Sequence, residues 1–126
     1  MKLIRKDQAI HVDKTNGTKV DYYLLNDAEI HYNKINPRTL QEWHRHHRIS
    51  ENIFILKGKL VYRYLDEANK EQSLKLKQGD LLSVDKDIHT FENQTDEVVE
   101  FIVFRYLPSY KNQSEMIKND KEMIEK

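Results

Sequence analysis

The chain has 126 residues, 38% of them hydrophobic and 33% charged, with 21 basic side chains against 21 acidic ones. A length of this order builds one core rather than two, so a single domain over 1–126 is expected, and the charge balance argues against a disordered polyelectrolyte and against nucleic acid as a partner. The absence of cysteine excludes disulfides, thiolate metal sites, cysteine nucleophiles and iron–sulfur clusters, which leaves oxygen and imidazole to carry any chemistry.

The chain opens Met1-Lys2-Leu3-Ile4-Arg5-Lys6-Asp7, an apolar run too short for a signal-peptide core, and no later stretch reaches the length of a membrane span. A cytoplasmic protein with no membrane partner is expected. Three glycines and two prolines punctuate the chain, and neither a GxGxxG nor a GxxxxGK phosphate loop is present. Short apolar, β-branched and aromatic runs alternate with polar breaks, the period of strands rather than of helices. The predicted strands are 3–6, 9–12, 20–25, 28–33, 40–46, 52–57, 59–65, 73–76, 80–84, 89–92 and 98–107. Many short strands with turns between them predict an all-β sandwich or barrel. The last segment, 111–126, changes character: Ser114 can cap a helix on which Met116, Ile117, Met123 and Ile124 form a stripe, so a short terminal helix or frayed tail is expected.

Three of the six histidines crowd into Trp43-His44-Arg45-His46-His47-Arg48. On a strand, His44 and His46 point to one face and His47 to the other. Glu51 opens the next strand, where a carboxylate can reach the same point, and His89 begins a later one. Three imidazoles and one carboxylate suit a single divalent ion such as iron, manganese, nickel, cobalt or zinc, with positions left for water or substrate. His11 and His31 lack partner spacing and read as structural or solvent-facing. Trp43 should face away from His44, toward a sheet-packing or dimer contact.

The chain reads His44-x-His46, four residues, Glu51, six residues, Gly58, then Gly79, nine residues, His89, three residues, Asn93. This resembles the two sequence motifs of the cupin superfamily, over about 38–107, with a motif core at 38–108. Arg38 stands where the family pattern opens with glycine, and Asp85 and Asp87 occupy a turn where it has proline and glycine. The resemblance implies a double-stranded β-helix, or jelly-roll, barrel with a metal held inside by His44, His46, Glu51 and His89. It also implies oxygenase, isomerase or lyase chemistry on a small polar or anionic molecule, with Glu51 doubling as base, or else a non-catalytic binding module. The chain has neither a helix-turn-helix pattern nor a second motif pair, which disfavours a DNA-binding regulator and excludes a two-barrel protein. In a hollow barrel, Arg48 at the mouth and Tyr62, Phe91 and Phe104 on central strands are the candidates for substrate contact. Arg45 could likewise steer an anion.

Strand 98–107 is apolar on both faces, and one barrel interior buries only one of them. The other needs the terminal segment, through Met116 and Met123, or a second subunit. A homodimer is expected, because 3–6 and 9–12 also need a sheet edge to pair with.

Overall fold

The computed structural model describes residues 1–84 and 86–107. Ten strands follow a three-residue 3-10 turn at Lys6–Gln8: β1 Ile10–Asp13, β2 Thr18–Leu24, β3 Ala28–Ile35, β4 Thr39–Leu40, β5 Ser50–Lys57, β6 Lys59–Leu65, β7 Glu71–Lys77, β8 Leu81–Val84, β9 His89–Asn93 and β10 Val99–Tyr106. They form two antiparallel sheets, one of six strands in the order β1-β2-β3-β10-β5-β8 and one of four in the order β4-β9-β6-β7. The all-β jelly-roll expectation holds. Alternation along each strand sends one set of side chains between the sheets, where Ile35, Ile53, Ile55, Leu60, Tyr62, Phe91, Val99, Phe101 and Val103 form the core. No helix among the described residues is long and apolar enough to cross a membrane.

Two predicted strands are corrected. Residues 3–6 are not a strand; the chain there runs into the 3-10 turn, closed by the Arg5 backbone N–H donating to Gln8 Oε1 at 2.9 Å. The predicted strand 40–46 is ordered as a strand only at Thr39–Leu40, and pairing resumes at a single bridge between His44 and His89. The register explains the break. Between Leu40 opposite Glu92 and His44 opposite His89, Gln41, Glu42 and Trp43 stand against only Thr90 and Phe91. One surplus residue leaves the ladder in the manner of a β-bulge, which bends the chain and re-aims the side chains that follow. The expected terminal helix lies outside the described residues.

Both motif glycines occupy left-handed backbone, Gly58 at φ +87° and Gly79 at φ +89°. Gly58 turns the chain from the larger sheet into the smaller, and a Cβ there would sit 3.0 Å from Val99 Cγ2. Gly79 has open space around it. Gly79→Ala is therefore expected to cost about 1–2 kcal/mol from backbone strain alone. Gly58→Ala should cost more, because Val99 is wholly buried and cannot retreat. Chemical denaturation of the two variants checks the ranking, and an equal or reversed order would contradict it. Arg38, which replaces the pattern's glycine, still adopts φ 54°. The backbone requirement has survived the substitution, and the Arg38 guanidinium pairs with Asp96 at 2.9 Å.

Asn93, the last residue of the second motif, is fully buried at the end of β9. Its amide nitrogen faces the carbonyls of Ile35, Asn36 and Glu97, while its oxygen accepts from the Thr95 backbone and hydroxyl. It staples β9 to the end of β3 and to its own following turn. That fixes the strand on which His89 is mounted.

Candidate metal centre

The irregular segment after β4 carries His44 and His46, β5 carries Glu51, and His89 begins β9. These four come together from both sheets, with one ligand atom from each lying within 4.8 Å of the others. The imidazole centroids of His44 stand 5.1 Å from His46 and 4.4 Å from His89. Glu51 and His89 are buried, and His44 and His46 are half-buried at the rim.

Two of the imidazoles are held in one tautomer by the backbone. His44 Nδ1 lies 3.0 Å from the Glu42 carbonyl and His89 Nδ1 lies 2.9 Å from the Asp87 carbonyl. A carbonyl can only accept, so each Nδ1 carries the hydrogen and each Nε2 presents a lone pair. This is the arrangement in which backbone groups orient histidine ligands. Among the described residues, His46 Nε2, Glu51 Oε1 and His89 Nε2 are buried side-chain atoms without a hydrogen-bond partner. His46 Nε2 and Glu51 Oε1 touch, yet their geometry makes no hydrogen bond. Leaving such groups buried and unmatched costs on the order of 1–3 kcal/mol each. Donors held about 2.1 Å from a shared ion stand at most about 4.2 Å apart. Closing the 4.8 Å cluster on an ion therefore asks only for small side-chain shifts.

Burial, with the charge of Arg105 adding to it, lowers the His46 imidazole to about 4. Burial is also the main cause that lowers His89 and, further along the barrel, His31. All three are neutral in neutral solution. Imidazoles lowered by folding take up protons when the chain unfolds, so the unfolded state gains stability as the medium is acidified below their ordinary value of about 6.5. The stability these neutral groups contribute is present above about 6.5 and is lost as pH falls through the lowered folded values. Urea denaturation of metal-depleted protein should give a lower midpoint at about pH 5 than at about pH 8. An equal or higher midpoint at the acid end would contradict this assignment.

The remaining sequence candidates divide. Tyr62 and Phe91 are cross-strand neighbours in the core, and the Tyr62 ring lies 5.4 Å from His89. Tyr62 donates its hydroxyl hydrogen to Asp87 Oδ2 at 2.7 Å and lines a cavity of about 690 Å³ with Arg45, Tyr64 and Asp87. Burial first, and then Asp87, raise its phenol well above the ordinary value. Phe91 packs on Phe101 and lies among the core side chains rather than on a cavity wall. Phe104 is corrected: the inward positions of β10 are Val99, Phe101, Val103 and Arg105, and alternation puts Phe104 on the outer face beside Tyr106. Arg48 is exposed in the bend before β5 and His47 is exposed next to it. Trp43 faces outward with the Arg63 guanidinium 5.5 Å from its ring centroid, a cation–π contact within its own chain. His11 is exposed and pairs with Asp21. His31 is buried and donates from Nε2 to Glu29 Oε2 at 2.9 Å.

Sequence reasoning missed Arg105. Its parity with Phe101 and Val103 on β10 was the available signal, since a residue two places beyond an inward one also faces inward. Arg105 Nε lies 3.4 Å from Glu51 Oε1, near enough to pair by charge but without a hydrogen bond.

A family model described as Cupin domain matches residues 31–105, more than half of the chain. The chain belongs to the cupin family. A search of curated proteins finds no match. Among solved structures, this cupin is similar to Drosophila melanogaster CENP-C bound to CAL1, at 17% identity and a TM-score of 0.72, over 82% of this chain and 84% of that one. It is also similar to the Lactobacillus farciminis oxalate decarboxylase in a formate complex, at 18% identity and a TM-score of 0.70, over 87% of this chain and 34% of that one. A third likeness is to the Bacillus subtilis oxalate decarboxylase described by its Mn(II) centres, at 14% identity and a TM-score of 0.71, over 87% and 30%. The cupin thus spans about a third of the decarboxylase chains. At these identities the likenesses establish the fold.

Proposed function

We propose that this cupin is a mononuclear metal-dependent enzyme, of oxygenase or isomerase type, acting on a small polar or anionic metabolite in the barrel. The observation that supports it is the convergence of His46 Nε2, Glu51 Oε1 and His89 Nε2, buried and without hydrogen bonds, in a group of four whose ligand atoms lie within 4.8 Å. His44, His46, Glu51 and His89 would hold one divalent first-row ion, among iron, manganese, nickel, cobalt and zinc. Such an ion supplies Lewis acidity or a redox centre when bound. The similar Bacillus subtilis protein is described by Mn(II) centres, which makes manganese the first ion to try.

The chain's own groups do the rest. The Glu42 and Asp87 carbonyls keep His44 and His89 in the ligating tautomer. Glu51 is the carboxylate available to accept a proton from a bound molecule. The aromatic wall of Tyr62 and Phe91 keeps water from one side of the donors. Elemental analysis of protein purified without added metal, with oxygen-uptake and isomerase screens on small metabolites, tests this reading. About one equivalent of a transition metal per chain and turnover on one class are expected, and a chain that stays metal-free after repletion would overturn it.

An exposed apolar strip on the outer face of the six-stranded sheet, formed by Phe54, Leu81 and Phe104, fits an enzyme and a binding module alike; the second reading, a non-catalytic module, is supported by the likeness to Drosophila melanogaster CENP-C, described as bound to CAL1. Metal binding without turnover would select it. For that strip we propose a second copy of the chain as the partner, so that the protein is a homodimer.

A further inference from the structure

His89 is the wholly buried member of the four donors. Its Nδ1–H donates to the Asp87 carbonyl at 2.9 Å, which leaves the lone pair on Nε2. That carbonyl stands just outside the sheet. The last backbone bond at this end of the β6–β9 ladder runs from the Leu65 N–H to the Ile88 carbonyl at 3.0 Å, and among the described residues no backbone hydrogen bond reaches the peptide between Asp87 and Ile88. Something other than the ladder has to hold it.

Tyr62 is placed to do so. Its buried ring packs on Phe91, its cross-strand partner, and on His89, with centroids 5.5 and 5.4 Å away. From there the hydroxyl reaches the wall of the 690 Å³ cavity and donates to Asp87 Oδ2 at 2.7 Å. Among the described residues, Tyr62 is the hydrogen-bond partner of the Asp87 side chain. One residue thus packs against the imidazole and also ties down the residue whose carbonyl orients it. A ring set in the core cannot follow Asp87 if the turn shifts, so Tyr62 is a fixed anchor. Asp87 stands in the turn where the family pattern has proline and glycine, so the side chain that Tyr62 grips is one the pattern does not supply.

We infer that Tyr62 is a positioning residue for the metal centre, holding His89 in its ligating tautomer through Asp87. Freed of the carbonyl, a neutral imidazole exchanges between two tautomers, and the one with its hydrogen on Nε2 has no lone pair there for an ion. Groups that orient histidine ligands contribute about 10–100-fold to metal affinity. Tyr62 acts through one further residue, so the low end of that range is expected. The inference rests on the metal reading above and deepens it.

The bland account is that the Tyr62–Asp87 bond only closes the turn, in which case its loss lowers stability and leaves the metal affinity of the folded protein unchanged. Titration of metal-depleted protein with Co(II), read by the visible absorption of the cobalt, separates the two accounts. Nitrogen NMR of the metal-free protein at about pH 8, where imidazole is neutral, reports the His89 tautomer independently. Tyr62→Phe keeps the ring and changes no charge; it should weaken cobalt binding about tenfold and show a second His89 tautomer. Asp87→Ala should do the same, and combining the two should cost no more than either alone, because they act as one unit. Asp87→Asn removes the charge but keeps an acceptor oxygen for the Tyr62 hydroxyl, so it should recover most of the affinity that Asp87→Ala loses. Equal losses in the alanine and asparagine variants would assign the effect to charge and overturn the inference. Cobalt affinity or His89 tautomer unchanged in folded Tyr62→Phe also overturns it, and if that variant does not fold, the two Asp87 variants, which leave the core intact, decide the matter. A wild type that takes up no cobalt overturns the metal reading, and this inference with it.

Discussion

Replacing His44 and His46 together by alanine is expected to abolish stoichiometric metal while leaving the barrel folded. Both side chains come from the irregular segment after β4 and are only half-buried, so their removal takes little from the core of Ile35, Ile53, Phe101 and their neighbours. The effect on metal should be large. Losing groups that merely support a ligand costs about 10–100-fold in metal affinity, and here two direct donors go at once. Metal per chain should drop from about one equivalent to background by elemental analysis, with an unchanged far-ultraviolet circular dichroism spectrum. Unchanged metal content would sink the site assignment. Acidification should act in the same direction, because protons compete for imidazoles whose ordinary value is about 6.5. Metal retained well below about pH 4, where carboxylates also protonate, would point to a different ligand set.

Most of this site was legible in the sequence because its two motifs lie on local spacing. Alternation on a strand and the distances from His44 to Glu51 and from His89 to Asn93 need no knowledge of the partner sheet. The manner in which His44 is presented was not legible. A strand through 40–46 gives the right convergence for a reason that is only partly right, since one surplus residue at Gln41 to Trp43 interrupts the ladder and the His44 bridge to β9 restores it. Bulges depend on what the opposite strand provides, and a single strand's pattern does not contain that. Arg38 shows the converse. Its sequence departs from glycine, but its φ of 54° keeps the conformation that glycine serves, so the backbone demand is more persistent than the residue. Arg105 was missed for a third reason. Inside a strand otherwise rich in Val, Ile and Phe, a charged residue reads as an interruption, and only pairing with β3 and β5 places it beside two carboxylates. The early strand at 3–6 failed because its Leu-Ile pair has no alternating partner to continue it, and Gln8 caps the turn that forms instead.

A mass of two chains in solution is the second large effect expected. Strand β10 sends Phe101 and Val103 into the core and Ile102, Phe104 and Tyr106 outward, as its apolar composition on both faces required. In register, Ile102 stands opposite Tyr32 and Phe54, Phe104 opposite Ile30, and Phe54 opposite Leu81, so the outward residues form one strip across β3, β10, β5 and β8. Phe54 is 41% exposed, Phe104 38% and Leu81 68%, which is a large apolar surface to leave in water. One part of the sequence argument does not carry over: β1 pairs with β2 of its own chain, so the early residues do not need a partner's edge. The strip remains, and a two-fold interface would cover it on both copies at once, since each would present the same self-complementary patch. Light scattering at micromolar concentration should report twice the 15.2 kDa of one chain. Phe54→Glu combined with Phe104→Glu should return the mass to 15.2 kDa with the metal site intact, because both side chains face away from the barrel interior. Like charges then meet across the two-fold axis in place of two aromatic anchors, each of which contributes about 2 kcal/mol or more where it is central to an interface. A wild-type mass of 15.2 kDa would overturn the dimer and leave 108–126 as the segment to test as the cover of the strip.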